Sequence, residues 1–403
     1  MITPEKRAIA NRTYTLDLMR APFAGVLESG MHALVLLIAI RVFDPNPFFK
    51  AWIPASISVG FLLSPIVLSV AWRLRVRATR IASLLWILSG LWVFGASYAQ
   101  GFHGYFAMLG PGMLVFALVP TFMIFAYANN YTAQQRGQRI AVFFMISSAA
   151  AVVFSFWAGE WLDVDLERFR WILRIIAAAA FASAACAFFM PSPPVEAKHH
   201  GSPLQHFSLI WKDRLFGGML ASWMFIGFAN LMTIPLRVEY LASPSYGLNL
   251  SNAEISLLVV VIPSICRILS TRIWGYFFDR VNMLVLRSLL NGMFLVGILM
   301  FFMSRSFEPM AISMAITGFA HGGGNIAWSL WVTKIAPPEK SASYMSVHTA
   351  TTGVRGLLSP FLGFAAITLL GPVQTALIAS ALAGISILIN LPLTRHPRLK
   401  ASY

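Results

Sequence analysis

Long apolar runs separated by short polar breaks recur from one end of this chain to the other, and each is long enough to cross a bilayer, for which about 20 residues suffice. The runs predict helices at roughly 19–43, 51–71, 79–99, 105–128, 140–162, 171–190, 214–238, 254–277, 282–304, 308–333, 343–369 and 371–392. The longest polar break falls near the middle. Pro191-Ser192-Pro193-Pro194 ends the sixth run, because proline cannot continue a helix, and a polar stretch with Lys198, His199, His200 and His206 leads to a short surface helix around 207–214. Six helices, a linker and six more predict an N-terminal bundle at 1–190, a cytoplasmic linker at 191–213 and a C-terminal bundle at 214–403. The two histidines of the linker read as solvated residues rather than a metal site.

Charge fixes the orientation. With the N-terminus inside, twenty-one of the 30 Lys and Arg residues lie on the cytoplasmic side and seven outside, while Arg267 and Arg355 lie near mid-membrane. This is the positive-inside bias of short-looped membrane proteins, and it places both termini in the cytoplasm. The net charge of +15 is therefore topology and not a nucleic-acid footprint.

Composition narrows the class further. The chain is 58% hydrophobic and 11% charged, with a mean hydropathy of +0.72; a soluble domain carries about 25% charged residues. A soluble multidomain protein is excluded. Cys186 and Cys266 sit in separate apolar runs, so no disulfide is expected. The first run is long, holds Glu28 and lacks a small-residue cleavage site, so it reads as a retained helix and not a cleaved signal.

Two short patterns carry more information. After the eighth run comes Gly275-Tyr-Phe-Phe-Asp279-Arg280, with Arg287 seven residues on. Asn130-Tyr131 is followed by Arg136-Gly137-Gln138-Arg139, and Thr352-Gly353-Val354-Arg355-Gly356 precedes Ser359-Pro360-Phe361-Leu362-Gly363. Together these resemble the signature loop, the turn after helix 4 and helix 11 of the major facilitator superfamily. The resemblance implies an all-α membrane protein of twelve transmembrane helices in two pseudo-symmetric six-helix bundles. It also implies a small-molecule substrate bound near the bilayer midplane, alternating access, a monomer, and Gly275, Asp279, Arg280 and Arg287 as a cytoplasmic gating loop. A weak internal repeat agrees: a proline-interrupted helix leads into a basic turn at Pro54/Pro65 to Arg73–Arg80 and again at Pro263 to Arg280–Arg287. In the first half the loop reads Trp72-Arg73-Leu74-Arg75-Val76-Arg77 and lacks the aspartate, so a symmetric pair of latches is not expected. The Gly-Pro-rich run of the family's drug/proton antiporters is missing from helix 5.

Ionisable groups inside a membrane are costly and point to cavities or partners. By these spans one of the 15 acidic residues lies well inside, Glu28. His32 follows at i+4 on the same face; a carboxylate beside an imidazole can exchange protons near neutral pH, so this pair is the candidate proton site. Arg267 and Arg355 are too deep to reach the surface. One carboxylate cannot balance two guanidiniums, and the surplus favours an anion, which arginine binds in bidentate fashion. His348, Thr352, Arg355 and Ser359 form a polar stripe, expected to face a cavity. Thr317, His321, Asn325 and Trp328 share a face of helix 10, which His321-Gly-Gly-Gly-Asn325 is expected to interrupt. Asn230, Thr233 and Arg237 form a similar stripe on helix 7.

The candidate substrate residues are therefore Arg267, His321, Asn325, Arg355, Asn230 and Trp328. The principal reading is a proton-coupled transporter of a small organic anion in the inner membrane, with protons or another ion as coupling partner. Two others stay open: a sugar or nucleoside symporter built on the amides and Trp328, and a sensor or scaffold that does not transport. No cofactor, metal, nucleic acid or enzymatic motif is expected.

Overall fold

The computed structural model describes residues 4–195, 207–336 and 340–400; most of the linker, with His199, His200 and His206, lies outside them. The described chain is almost wholly helical, with one isolated bridge between Arg77 and Pro194 and no named strand. Among the described residues eleven helices are long and apolar enough to cross a membrane.

The long helices of the first half are α1 (Pro4–Phe43), α2 (Pro47–Arg73), α3 (Ala78–Ala96), α4 (Phe102–Asn130), α5 (Ala133–Val164) and α6 (Phe169–Phe189). Those of the second are α7 (Arg214–Ala242), α8 (Asn252–Ser256, Leu257–Val261 and Ile262–Arg280 in one run), α9 (Met283–Met303), α10 (Phe307–Ile335), α11 (Ser341–Leu370) and α12 (Pro372–Leu393). The starts are chemically marked. Asn46 accepts from Phe49 N with Pro47 in the first turn of α2, Asp213 accepts from Phe216 N, and Ser251 with Glu254 forms a capping box. Each satisfies amide donors that a helix start leaves without partners.

Contacts divide the chain into two compact units, Met1–Lys198 with Ser251–Val260, and His199–Leu250 with Val261–Tyr403. Inside the first, α3 packs on α4 and α6, α1 on α5 and α6, and α2 on α4. Inside the second, α9 packs on α10 and α12, α7 on α11 and α12, and α8 on α10. Adding six to each helix number of the first set yields the second. The two units thus share one packing plan.

Small residues make the plan possible, since close helix approach in lipid relies on them and on short polar bridges. In unit 1, Ser83 donates to Ala184 O at 2.8 Å and Ser89 to Gly112 O at 2.9 Å. In unit 2, Ser222 and Ser386 lie 2.8 Å apart, and Asn291 donates to Ser386 Oγ at 2.8 Å. The first turns of α8 pack in unit 1, where Asn252 N and Ala253 N donate to the Asp163 carboxylate at 2.7 and 3.0 Å.

Two expectations are corrected here. The glycine run of α10 does not interrupt it, for Phe307–Ile335 is one continuous helix. A Cβ on Gly322 would collide with Ser270 Oγ, and one on Gly323 would fall 2.8 Å from Leu290 and from Trp274. These glycines let α8 and α9 approach α10. The second correction concerns α1, which begins at Pro4 instead of near 19 and carries a second acid inward.

Candidate functional site

That acid is Asp17, 1% exposed. Arg20, one turn further along α1, donates to it through Nε at 3.1 Å and Nη2 at 2.7 Å, and Tyr127 of α4 donates its hydroxyl at 2.7 Å. The Arg20 guanidinium also lies 5.0 Å from the centre of the Trp86 ring and 4.3 Å from that of Phe143. The pair is internally neutral, bonded to Tyr127 and walled by aromatics. Glu239 on α7 is buried as well, so Glu28 is one of several acids held inside.

Glu28 and His32 flank the start of a π-helical turn, Gly30–Leu34, a feature that recurs at functional sites. The His32 Nδ1 lies 3.0 Å from the main-chain carbonyl of Glu28, and its ring meets Phe116 edge-on at 6.1 Å. Glu28 is half-buried and His32 is exposed.

Unit 2 gathers the cations. Arg237, Arg287 and Arg355 are each at most 5% exposed, and Arg267 is half-buried. Arg287, the downstream basic residue of the expected gating loop, lies inside α9 as its predicted span has it, its guanidinium carbon 3.6 Å from the centre of the Trp223 ring. Arg355 reaches the same residue of α7 from α11, donating Nη1 to Trp223 O. It can do so because position 227 is glycine, where a Cβ would strike the guanidinium. The Nε of each of these two arginines has no hydrogen-bond partner among the described residues.

His348, fully buried on α11, completes this cluster. Its ring is 5.2 Å from Trp223, 5.5 Å from Trp328 and 5.1 Å from Trp331, and neither ring nitrogen has a partner among the described residues. The stripe His348, Thr352, Arg355, Ser359 therefore faces α7. Its hydroxyls close on their own helix, Thr352 to His348 O at 2.9 Å and Ser359 to Arg355 O at 2.6 Å.

The remaining candidates are more scattered. His321 stands edge-on to Phe294 at 4.9 Å. Asn325 is exposed and Asn230 half-buried. In the predicted gating loop, Gly275 and Arg280 are on the last turns of α8, where Arg280 covers the Tyr276 ring at 3.8 Å; the side chain of Asp279 lies outside the described residues. Among the described residues no three His, Cys, Asp or Glu side chains gather as a metal site. Trp223 carried no polar signal in the sequence, and only packing reveals that both arginines meet on it.

Comparisons with known proteins follow the same lines. Residues 239–402 match the sequence profile of the Major Facilitator Superfamily. No curated protein matches the chain. Among solved structures, the nucleoside transporter NupG is similar with a TM-score of 0.72 at 14% identity, covering 96% of this chain and 98% of that one. A POT family transporter in complex with 5-aminolevulinic acid gives 0.71 at 12%, covering 94% and 95%. The xylose transporter XylE from E. coli gives 0.68 at 12%, covering 94% and 97%. At such identities the likeness shows the fold. Residues 239–402 thus carry that family's sequence profile, and the fold of these transporters extends over nearly the whole chain.

Proposed function

We propose that this multi-pass membrane protein is a secondary transporter that moves a small organic anion across the inner membrane by alternating access, coupled to protons. In this reading all of α1 to α12 span the bilayer, both termini are cytoplasmic, and the bundles divide at 1–190 and 214–403 around the linker. The carrying observation is the charge inside unit 2: among the described residues Arg237, Arg287 and Arg355 are buried against one buried acid, Glu239. Burying a guanidinium is costly unless an anion meets it, and arginine matches carboxylate and phosphate geometry.

Arg267 and Arg355 are assigned to the substrate anion, with His321, Asn325, Asn230 and Trp328 shaping the rest of its site and Arg287 reinforcing the positive field. Glu28 and His32 are assigned to the proton. Gly275, Asp279, Arg280 and the start of α9 form the gating loop.

A thermal-shift screen of the detergent-purified protein tests this reading, using organic acids, phosphate esters, sugars and nucleosides at acidic and neutral pH. A ligand at about 100 times its Kd stabilises by about 2.7 kcal/mol. The expected result is an anionic hit that disappears in Arg267→Ala. Hits confined to sugars or nucleosides would instead favour the amide-and-tryptophan site, for which NupG and XylE supply fold precedents.

A further inference from the structure

Where α5 ends and α6 begins, unit 1 carries a groove of about 660 Å³, within the range of about 300–1,000 Å³ usual for ligand sites. Among the described residues its lining is Trp161, Asp165, Glu167, Arg168, Arg170 and Trp171, two acids and two bases between two tryptophans. The apolar stretch of α5 gives out at Asp163 and Asp165. The groove therefore lies where a helix long enough to span the bilayer leaves the hydrocarbon.

These charges are not all spent on one another. Arg170 donates Nε to Glu167 Oε2 at 2.8 Å and Nη1 to Ser97 O at 3.2 Å, which pairs one base with one acid and holds both in place. Asp165 uses Oδ1 to accept from Glu167 N at 3.0 Å, capping the short turn Leu166–Arg168, and takes part in no ion pair among the described residues. The Arg168 guanidinium carbon lies 5.6 Å from the centre of the Trp161 ring, and its side chain makes no hydrogen bond or ion pair among the described residues. One cation and one carboxylate are thus left over in the same groove. A simple anion would meet Arg168 and be repelled by Asp165, and a simple cation would meet the reverse. A zwitterion answers both.

The groove also opens onto an apolar track. Trp161 stacks on Trp157 at 4.3 Å, and Trp157 and Val153, one and two turns back along α5, are both exposed. Tryptophan suits the boundary between headgroups and hydrocarbon, where its apolar body and polar tip are both satisfied. An acyl chain attached to the zwitterion follows this track, whereas a soluble zwitterion leaves it bare. The faces of Trp161 and Trp171 attract any ammonium group. The Asp165 carboxylate favours one that donates N–H bonds, which a primary ammonium does and a quaternary one does not.

We infer that this groove binds the zwitterionic headgroup of a phospholipid whose ammonium is primary. Arg168 meets the phosphate, Asp165 accepts from the ammonium, and Trp157 and Trp161 carry the upper part of a chain. None of these residues is assigned to transport above, so the site stands independently of that assignment.

The test uses the full-length protein in detergent. Native mass spectrometry compares retention of phosphatidylethanolamine, phosphatidylcholine and phosphatidylglycerol, and the first should be retained most. Arg168→Gln should weaken retention of the ethanolamine and choline lipids alike, by about fivefold, the worth of one cation beside a lipid phosphate; Arg168→Lys should keep most of it. Asp165→Asn preserves the cap on Glu167 N, since asparagine also caps, and should erase the preference for ethanolamine over choline. Glu308→Gln removes an exposed acid outside the lining and should change neither. Glycerophosphoethanolamine, the headgroup without its chains, should bind far more weakly by calorimetry. The inference is overturned if the wild type does not prefer the ethanolamine lipid, if Glu308→Gln erases the preference as Asp165→Asn does, or if the chain-free headgroup binds as tightly as the lipid.

Discussion

Asp17 and Arg20 illustrate what a buried ion pair demands. Each side chain is almost fully enclosed, at 2% and 6% exposure, so removing one partner leaves the other charge without compensation. Asp17→Asn is expected to cost about 3–5 kcal/mol, read as a large drop in the thermal unfolding midpoint in detergent. The i, i+3 spacing that joins the two was visible in the sequence. Their burial was not, because a helix start is signalled weakly when its first turns are polar. The burial of Arg287 was hidden for a related reason: near the start of a predicted helix it reads as a cytoplasmic cation, and only packing against Trp223 of α7 turns it inward. Glu28 with His32 and the arginines Arg267 and Arg355 were legible because charge inside an apolar run stands out. The apolar residue on which Arg287 and Arg355 meet, Trp223, could be found only in three dimensions.

Helix ends show how a single carboxylate organises several elements. Asp213 caps α7 through Phe216 N, accepts from Tyr344 of α11 at 2.9 Å, and takes both Nη atoms of Arg398, at 2.9 and 2.5 Å. Arg398 lies on the short C-terminal helix Pro397–Lys400 and also reaches Ile335 O at the end of α10. Burial works against the charge of Asp213, but the Arg398 hydrogen bonds, the Phe216 amide and the Tyr344 hydroxyl outweigh it and hold the carboxyl below its usual value. A lowered carboxyl contributes stability above the unfolded value, about 3.9, and loses it as the pH falls through the folded value. Asparagine caps a helix as well as aspartate does, so Asp213→Asn isolates the ion pair. Because Arg398 is 41% exposed, the loss should be about 1 kcal/mol at neutral pH. The difference from wild type should vanish at acid pH, as followed by thermal unfolding across a pH series. A constant difference at every pH would mean that the charge is irrelevant. Element positions were largely legible from the apolar runs. The unbroken α10 was not, since a glycine run looks the same whether it bends a helix or lets a neighbour close in.

In the whole molecule the repeated packing plan is the clearest regularity, and the weak proline-and-basic-turn repeat in the sequence was its only trace. Side-chain identity has diverged between the units while the order of helix contacts has been kept, so composition could not display it. The proposed topology rests on the charge asymmetry, and labelling tests it. In a variant lacking Cys186 and Cys266, Arg75→Cys should resist a membrane-impermeant maleimide in intact cells while Arg168→Cys should react. The opposite pattern would invert the proposed topology.

Those two native thiols have a use of their own. Cys186 belongs to the first unit and Cys266 to the second, and both are partly accessible and unbridged. Wild-type protein therefore carries one attachment point for a spin label on each unit, with no engineering required. A dipolar distance distribution between them that splits into two populations, and changes weight when a substrate is added, would display the transport cycle as a change in a single length.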